Sequence, residues 1–144
     1  MEIRLLARSE RPAAIRLIWA AFLRYEAPDY SPEGIEAFRR FITDEASWDR
    51  LESFGAFEGG QLCGVIAVRE HRTHIALFFV AADRLRQGIG RRLWDHLRRL
   101  SPASAITVNA SPYAVPVYRR FGFCALAGEQ CRDGIRYTPM RWIR

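Results

Sequence analysis

One stretch constrains this chain more than any other: the apolar run IALFFV, Ile75 to Val80, followed after three residues by RLRQGIGRRL, Arg84 to Leu93. A run with no polar alternation suits a central strand covered on both faces. Gly88 and Gly90 permit a tight turn. From Gly88 to Leu100, Ile89, Leu93, Trp94, Leu97 and Leu100 fall on one helical face, while Arg91, Arg92, Asp95, Arg98 and Arg99 lie largely elsewhere. A strand that runs through such a turn into a helix leaves several backbone N–H groups at the positive end of the helix dipole, where an anion can approach closely. That geometry suits a pyrophosphate. Gly-x-Gly alone also serves turns that bind nothing. The dinucleotide fingerprint needs a third glycine where Leu93 stands, and the P-loop needs a lysine, which the chain lacks.

Around this unit the hydrophobic pattern switches repeatedly between the strand and helix periods. EIRLLA starts a sheet, and Ser9 caps a helix burying Ile15, Ile18, Trp19, Phe22 and Leu23. Ser31 and Pro32 form a second cap and first turn, before a helix with Ile35, Phe38 and Ile42 on its apolar face. Gly59-Gly60 supplies a hairpin turn between two strands. The strand Thr73 to Val80 follows, then the helix to Leu100, closed by Pro102. The strand AITVN leads to Ser111-Pro112 and the helix PYAVPVYRR, which Pro116 should weaken or kink. FCALAG and GIRYTPMRWI read as two final strands joined by a polar connection. With 144 residues, 49% of them hydrophobic, the chain is expected to form one domain. The segment AAIRLIWAAFL is interrupted by Arg16 and is too short and too charged for a membrane span or signal core, so a cytoplasmic protein is expected.

All 22 basic residues are arginines, against 16 carboxylates, for a formal charge of +6. Codon bias is the plain explanation of the missing lysine, yet its absence excludes a Schiff-base lysine. Arginine's planar fork favours a phosphorylated ligand, a nucleic acid or an anionic surface without choosing among them. Cys63, Cys124 and Cys131 are odd in number and contain no C-x-x-C pair. His71 and His74 would fall on opposite faces of a strand, and no metal site is expected.

LFFV, RQGIGRRL and the later NASPYAVPVYRRFGF together resemble the GNAT superfamily of N-acetyltransferases. The resemblance implies a single α+β domain over residues 1–144, with a mixed, mostly antiparallel twisted sheet of about six to seven strands flanked by about four helices. It also implies acetyl-coenzyme A as the acyl donor. Phe79 and Val80 would offer main-chain hydrogen bonds to the pantetheine arm. The amides of Arg86, Gln87, Gly88, Ile89, Gly90 and Arg91 would hold the pyrophosphate. Leu85 stands where the family usually has Gln or Arg, with Arg84 and Arg86 on either side to supply the charge. Ser111 replaces an asparagine often found there, and Asn109 is the substitute contact to the pantetheine arm. Tyr118, in the pattern A-x-x-x-Y-x-x-x-G-F, is similar in position to the general acid that protonates the departing thiolate.

The implied reaction is direct attack of a neutral amine on a thioester, which needs a base. His74 is the candidate, 14 residues before Gly88, where a histone-acetylating branch of the family places its glutamate; Glu26, Glu70 and Glu129 are substitutes. The acceptor is expected to be a small-molecule or peptide amine, attracted by the acidic loop residues Glu26, Asp29, Glu33, Glu129 and Asp133. Neither membrane nor nucleic acid is an expected partner, and homodimerisation is left open. Two alternatives stand beside this reading: a basic nucleic-acid module, including acetylation of charged transfer RNA, and an acyl-coenzyme A sensor without turnover.

Overall fold

The structure, a computed structural model, describes residues 1–144. The strands are β1 (Glu2–Leu5), β2 (Glu52–Glu58), β3 (Gln61–Arg69), β4 (His74–Val80), β5 (Ala105–Ala110), β6 (Cys124–Ala125), β7 (Gln130–Arg132) and β8 (Ile135–Ile143). The helices are α1 (Arg11–Tyr25), α2 (Pro32–Thr43), α3 (Glu45–Asp49), α4 (Ile89–Leu100) and α5 (Val115–Arg120). The sheet runs β1-β2-β3-β4-β5-β8-β6, with β7 paired on β8. Every pairing is antiparallel except β4 with β5, and α4 lies in the crossover that a parallel neighbour requires.

Helices cover both faces of the sheet, which is why the central strands read as unbroken apolar runs. In β3, Ile66 and Val68 join the cluster packed under α4, while Val65 and Ala67 join the cluster under α1 and α2. Ile89, Leu93, Trp94 and Leu97 bury one face of α4; Leu100, at its last turn, is exposed. Gly59 and Gly60, at φ of 57° and 80°, make the left-handed pair of a tight hairpin between β2 and β3.

Several expectations are corrected. Ser9 makes no cap: it sits in a 3-10 turn, and Glu10 closes this corner by accepting from the Ala7 N–H (2.8 Å) and pairing with Arg4. Ser31 does cap α2, accepting from Gly34 N–H at 3.1 Å. Pro116 does not kink a helix, because α5 begins at Val115 and the proline stands in the first turn, where no N–H is needed. The C-terminal region holds three strands rather than two. The additional β7 hairpin turns at Asp133-Gly134, both with positive φ (54° and 79°). No helix is long and apolar enough to cross a membrane.

Candidate active site

β4 and β5 pair only at His74↔Thr107 and Ile75↔Val108. Beyond that point they part, and the cause is local. Leu77 opposes Ala67 and Ile75 opposes Val68, so Ala76 is an extra residue in β4. Such a bulge bends its strand and sharpens its twist. The ladder then decides which main-chain groups face the gap. The Ala81 N–H donates to the Cys63 carbonyl (2.8 Å), so two residues back Phe79 and Val65 exchange their bonds in the same way. Phe79 therefore gives its polar main-chain groups to β3, and the gap is faced by those of Phe78 and Val80. This corrects the expectation for Phe79, which supplies a side chain instead. Phe78, not Phe79, turns its main-chain groups to the gap beside Val80.

Downstream of β4, no backbone amide from Leu85 through Arg91 donates to a protein acceptor. Three of them head α4, where the first amides of a helix have no partner within it. Gly88, at φ 79°, is the left-handed cap of α4, and a side chain there would meet no protein atom within 4 Å. Arg86 also has positive φ (63°), an uncommon and strained conformation for a residue with a Cβ. Alternating left- and right-handed residues turn successive N–H groups to one side and make a concave anion site. Arg84, Arg86, Arg91 and Arg120 line the same cavity, of about 830 Å³. Arg84 is held by Glu58 at 3.5 Å, and Arg91 lies over the Phe121 ring. The cradle fits a pyrophosphate: it offers free amides, an unobstructed glycine and guanidinium groups.

A second cavity of about 160 Å³ is lined by Ile75 and Ala76 of β4 and by Val108, Asn109, Ala110 and Ser111, where the strands part. Glu26, Phe78, Phe79, Ala114 and Tyr118 line both. Tyr118 sits on α5, 5% exposed, edge-on to Phe78 and Phe123. No buried side-chain polar atom lacks a partner, and no protein group bonds the Tyr118 hydroxyl, so that oxygen opens onto the cavity. Burial, and then the charge of Glu26, push its pKa well above the usual tyrosine range. Glu26 caps the C-terminus of α1, its N–H donating to the Phe22 carbonyl at 2.9 Å. Burial raises its carboxyl to about 7, against the pull of the Ser111 hydroxyl and with a further push from Asp29.

The other expected residues are distributed as follows. Arg86, Gly88, Ile89, Gly90 and Arg91 line the larger cavity, and Gln87 contributes an unpaired amide. Asn109 lines the smaller cavity and not the larger one. His74 lines neither; it lies where β4 and β5 still pair, its Nδ1 2.8 Å from the Thr107 hydroxyl. Burial, with Arg69 nearby, lowers its pKa. Glu70 and Glu129 also lie outside both linings, which leaves Glu26 as the one named base that reaches the junction. No local pattern points to the orientation of the Phe78 main chain or to the Tyr25–Tyr113 stack (4.9 Å), which ties α1 to the turn before α5 along the larger cavity. Both depend on tertiary register.

The sequence model of the acetyltransferase (GNAT) domain matches residues 26–144. YafP of Escherichia coli K12, described as an uncharacterized N-acetyltransferase, is 28% identical over 148 residues, covering 92% of this chain and 95% of that protein. A GCN5-related N-acetyltransferase structure from Rhodopseudomonas palustris superposes with a TM-score of 0.86 at 23% identity, covering 99% of this chain and 95% of that one. The PaiA N-acetyltransferase of Thermoplasma acidophilum, in complex with coenzyme A, gives 0.75 at 18% identity, over 99% and 98% of the two chains. With the family match spanning the parted strands, the amide cradle and the tyrosine helix, the chain belongs to the GNAT acetyltransferase family and is an acetyl-coenzyme A-dependent N-acetyltransferase.

Proposed function

We propose that the chain moves an acetyl group to a primary amine by direct attack, with donor and acceptor bound together. The observation that carries this reading is the meeting of Glu26 and Tyr118 at the junction of an arginine-lined cavity and a smaller one. Acetyl-coenzyme A supplies an activated thioester. The larger cavity takes the donor, its diphosphate on the amides of Leu85 to Arg91 and its arm along the open edge of Phe78 and Val80. The amine nitrogen bonds to the carbonyl carbon as the carbon–sulfur bond breaks. Glu26 accepts the amine's proton and Tyr118 gives one to the departing sulfur.

The two groups work in sequence. Ionised Glu26 holds the Tyr118 proton tightly; once Glu26 has taken the amine's proton, that electrostatic hold is gone and the phenol is a stronger acid. No cysteine lines either cavity, which supports direct transfer over an acyl-enzyme.

Initial-rate kinetics with release of free thiol test this reading. Intersecting patterns and a Tyr118→Phe enzyme about 100-fold slower, with donor affinity unchanged, are expected. Parallel patterns with acetate trapped on a cysteine peptide would overturn it. So would a protein whose melting point rises with nucleic acid but not with acetyl-coenzyme A.

A further inference from the structure

Resting on the acyl-transfer reading above, we infer that the acceptor is a compact primary amine with an apolar body and no carboxylate, seated in the smaller cavity with its nitrogen toward Glu26. The charge distribution comes first. In a chain with 22 arginines, none of the 15 residues lining that cavity is basic, and Glu26 is its one charged side chain. The arginine beside its wall, Arg136, is already held by Glu129 at 3.0 Å and Asp29 at 3.5 Å. The larger cavity carries four arginines. Cationic groups are thus confined to the donor side. An acceptor with a carboxylate would set it against Glu26 with no counter-charge, and like charges in such contact cost several kcal/mol.

Size and shape narrow the class further. Ile75, Phe38, Phe41, Phe78 and Ile135 give the cavity aliphatic and aromatic walls. Its volume of about 160 Å³ is of the order that holds a single ring, roughly 150 Å³, with polar surface exposed beside those apolar walls. A drug-sized ligand needs about 300 Å³ or more. The β7–β8 hairpin contributes Ile135 to this flank. Its tip is seated on the N-terminus of α2, where the Ser31 N–H donates to the Gly134 carbonyl (3.3 Å). A Cβ on Gly34 would collide with that same carbonyl, and one on Gly134 with the Ser31 hydroxyl, so this seating of the hairpin depends on glycine at both positions. Asn109, Ser111 and the hydroxyls of Tyr30 and Tyr118 supply polar contacts near the amine without adding positive charge.

Phenethylamine and phenylalanine differ by one carboxylate and make the test direct. With acetyl-coenzyme A saturating, kcat/KM for phenethylamine should exceed that for phenylalanine by about 100-fold or more, and should also exceed that for a lysine-containing peptide. Asn109→Arg, which puts a cation on the cavity wall, should narrow the phenethylamine-to-phenylalanine ratio by about tenfold or more. If phenylalanine or the peptide were the better acceptor, or if the donor bound and neither phenethylamine nor phenylalanine were acetylated, the inference would be overturned. Failure of acetyl-coenzyme A to raise the melting point would instead overturn the acyl-transfer reading on which it rests.

Discussion

Glu26 ties the pH behaviour of this enzyme to its stability. As the proposed base, Glu26 must be ionised to work, and with its carboxyl raised to about 7, kcat/KM should rise with pH through a limb near that value. Glu26→Gln should abolish the limb along with most of the activity. The same substitution should stabilise the fold. The carboxyl binds its proton more tightly when folded than when unfolded, so the folded enzyme loses stability as pH climbs from the ordinary carboxylate range to about 7. Below that window both forms are protonated and the variant should match the wild type. Above it the variant should be more stable by about 3 kcal/mol, read as a melting-point difference that opens with pH. A gap independent of pH would show that Glu26 ionises as an ordinary carboxylate. Tyr118 was legible from its pattern with Ala114, Gly122 and Phe123. Glu26 was legible only as one substitute base among three, because what raises its pKa is burial at a junction assembled from α1, β4 and the α5 turn.

At the level of elements, the cradle makes the sharpest claim. Gly88 and Gly60 both have φ near 80°, and at both a new Cβ would meet open space. Valine at either position suffers the same backbone strain, of about 1–3 kcal/mol. Only at Gly88 would it intrude on the amides from Leu85 to Arg91. Gly88→Val should therefore weaken acetyl-coenzyme A binding at least about tenfold, measured by calorimetry, while Gly60→Val should leave binding unchanged. Equal effects from the two would remove the cradle assignment. The strand, turn and helix around Gly88 were legible because periodicity and glycine spacing are local. β7 was not, since Gln130, Cys131 and Arg132 are all exposed and show no alternation. Nor was the bulge at Ala76, which exists only in the register of β4 against β3 and hides inside an uninterrupted apolar run.

For the whole molecule, donor binding should appear as stability. At a concentration 100 times its Kd, acetyl-coenzyme A should add about 2.7 kcal/mol, a rise of roughly 8 °C for a chain of this length. The sheet determines where that stabilisation falls. In the sheet ladder its halves, β1 to β4 and β5 to β8, pair at two residues only, with the Thr107 N–H bond to the Thr73 carbonyl (2.8 Å) and the His74 contact with the Thr107 hydroxyl, while one core cluster holding Ile66, Ile75, Val108 and Met140 packs across them. So narrow a seam should breathe. Without ligand, deuterium should enter the amides of Ile75 and Thr107 well before those at the centre of β3, and His74→Ala should hasten it. Occupancy of the gap would splint the halves together and slow labelling on both sides at once, with His74 serving as the pin of a hinge.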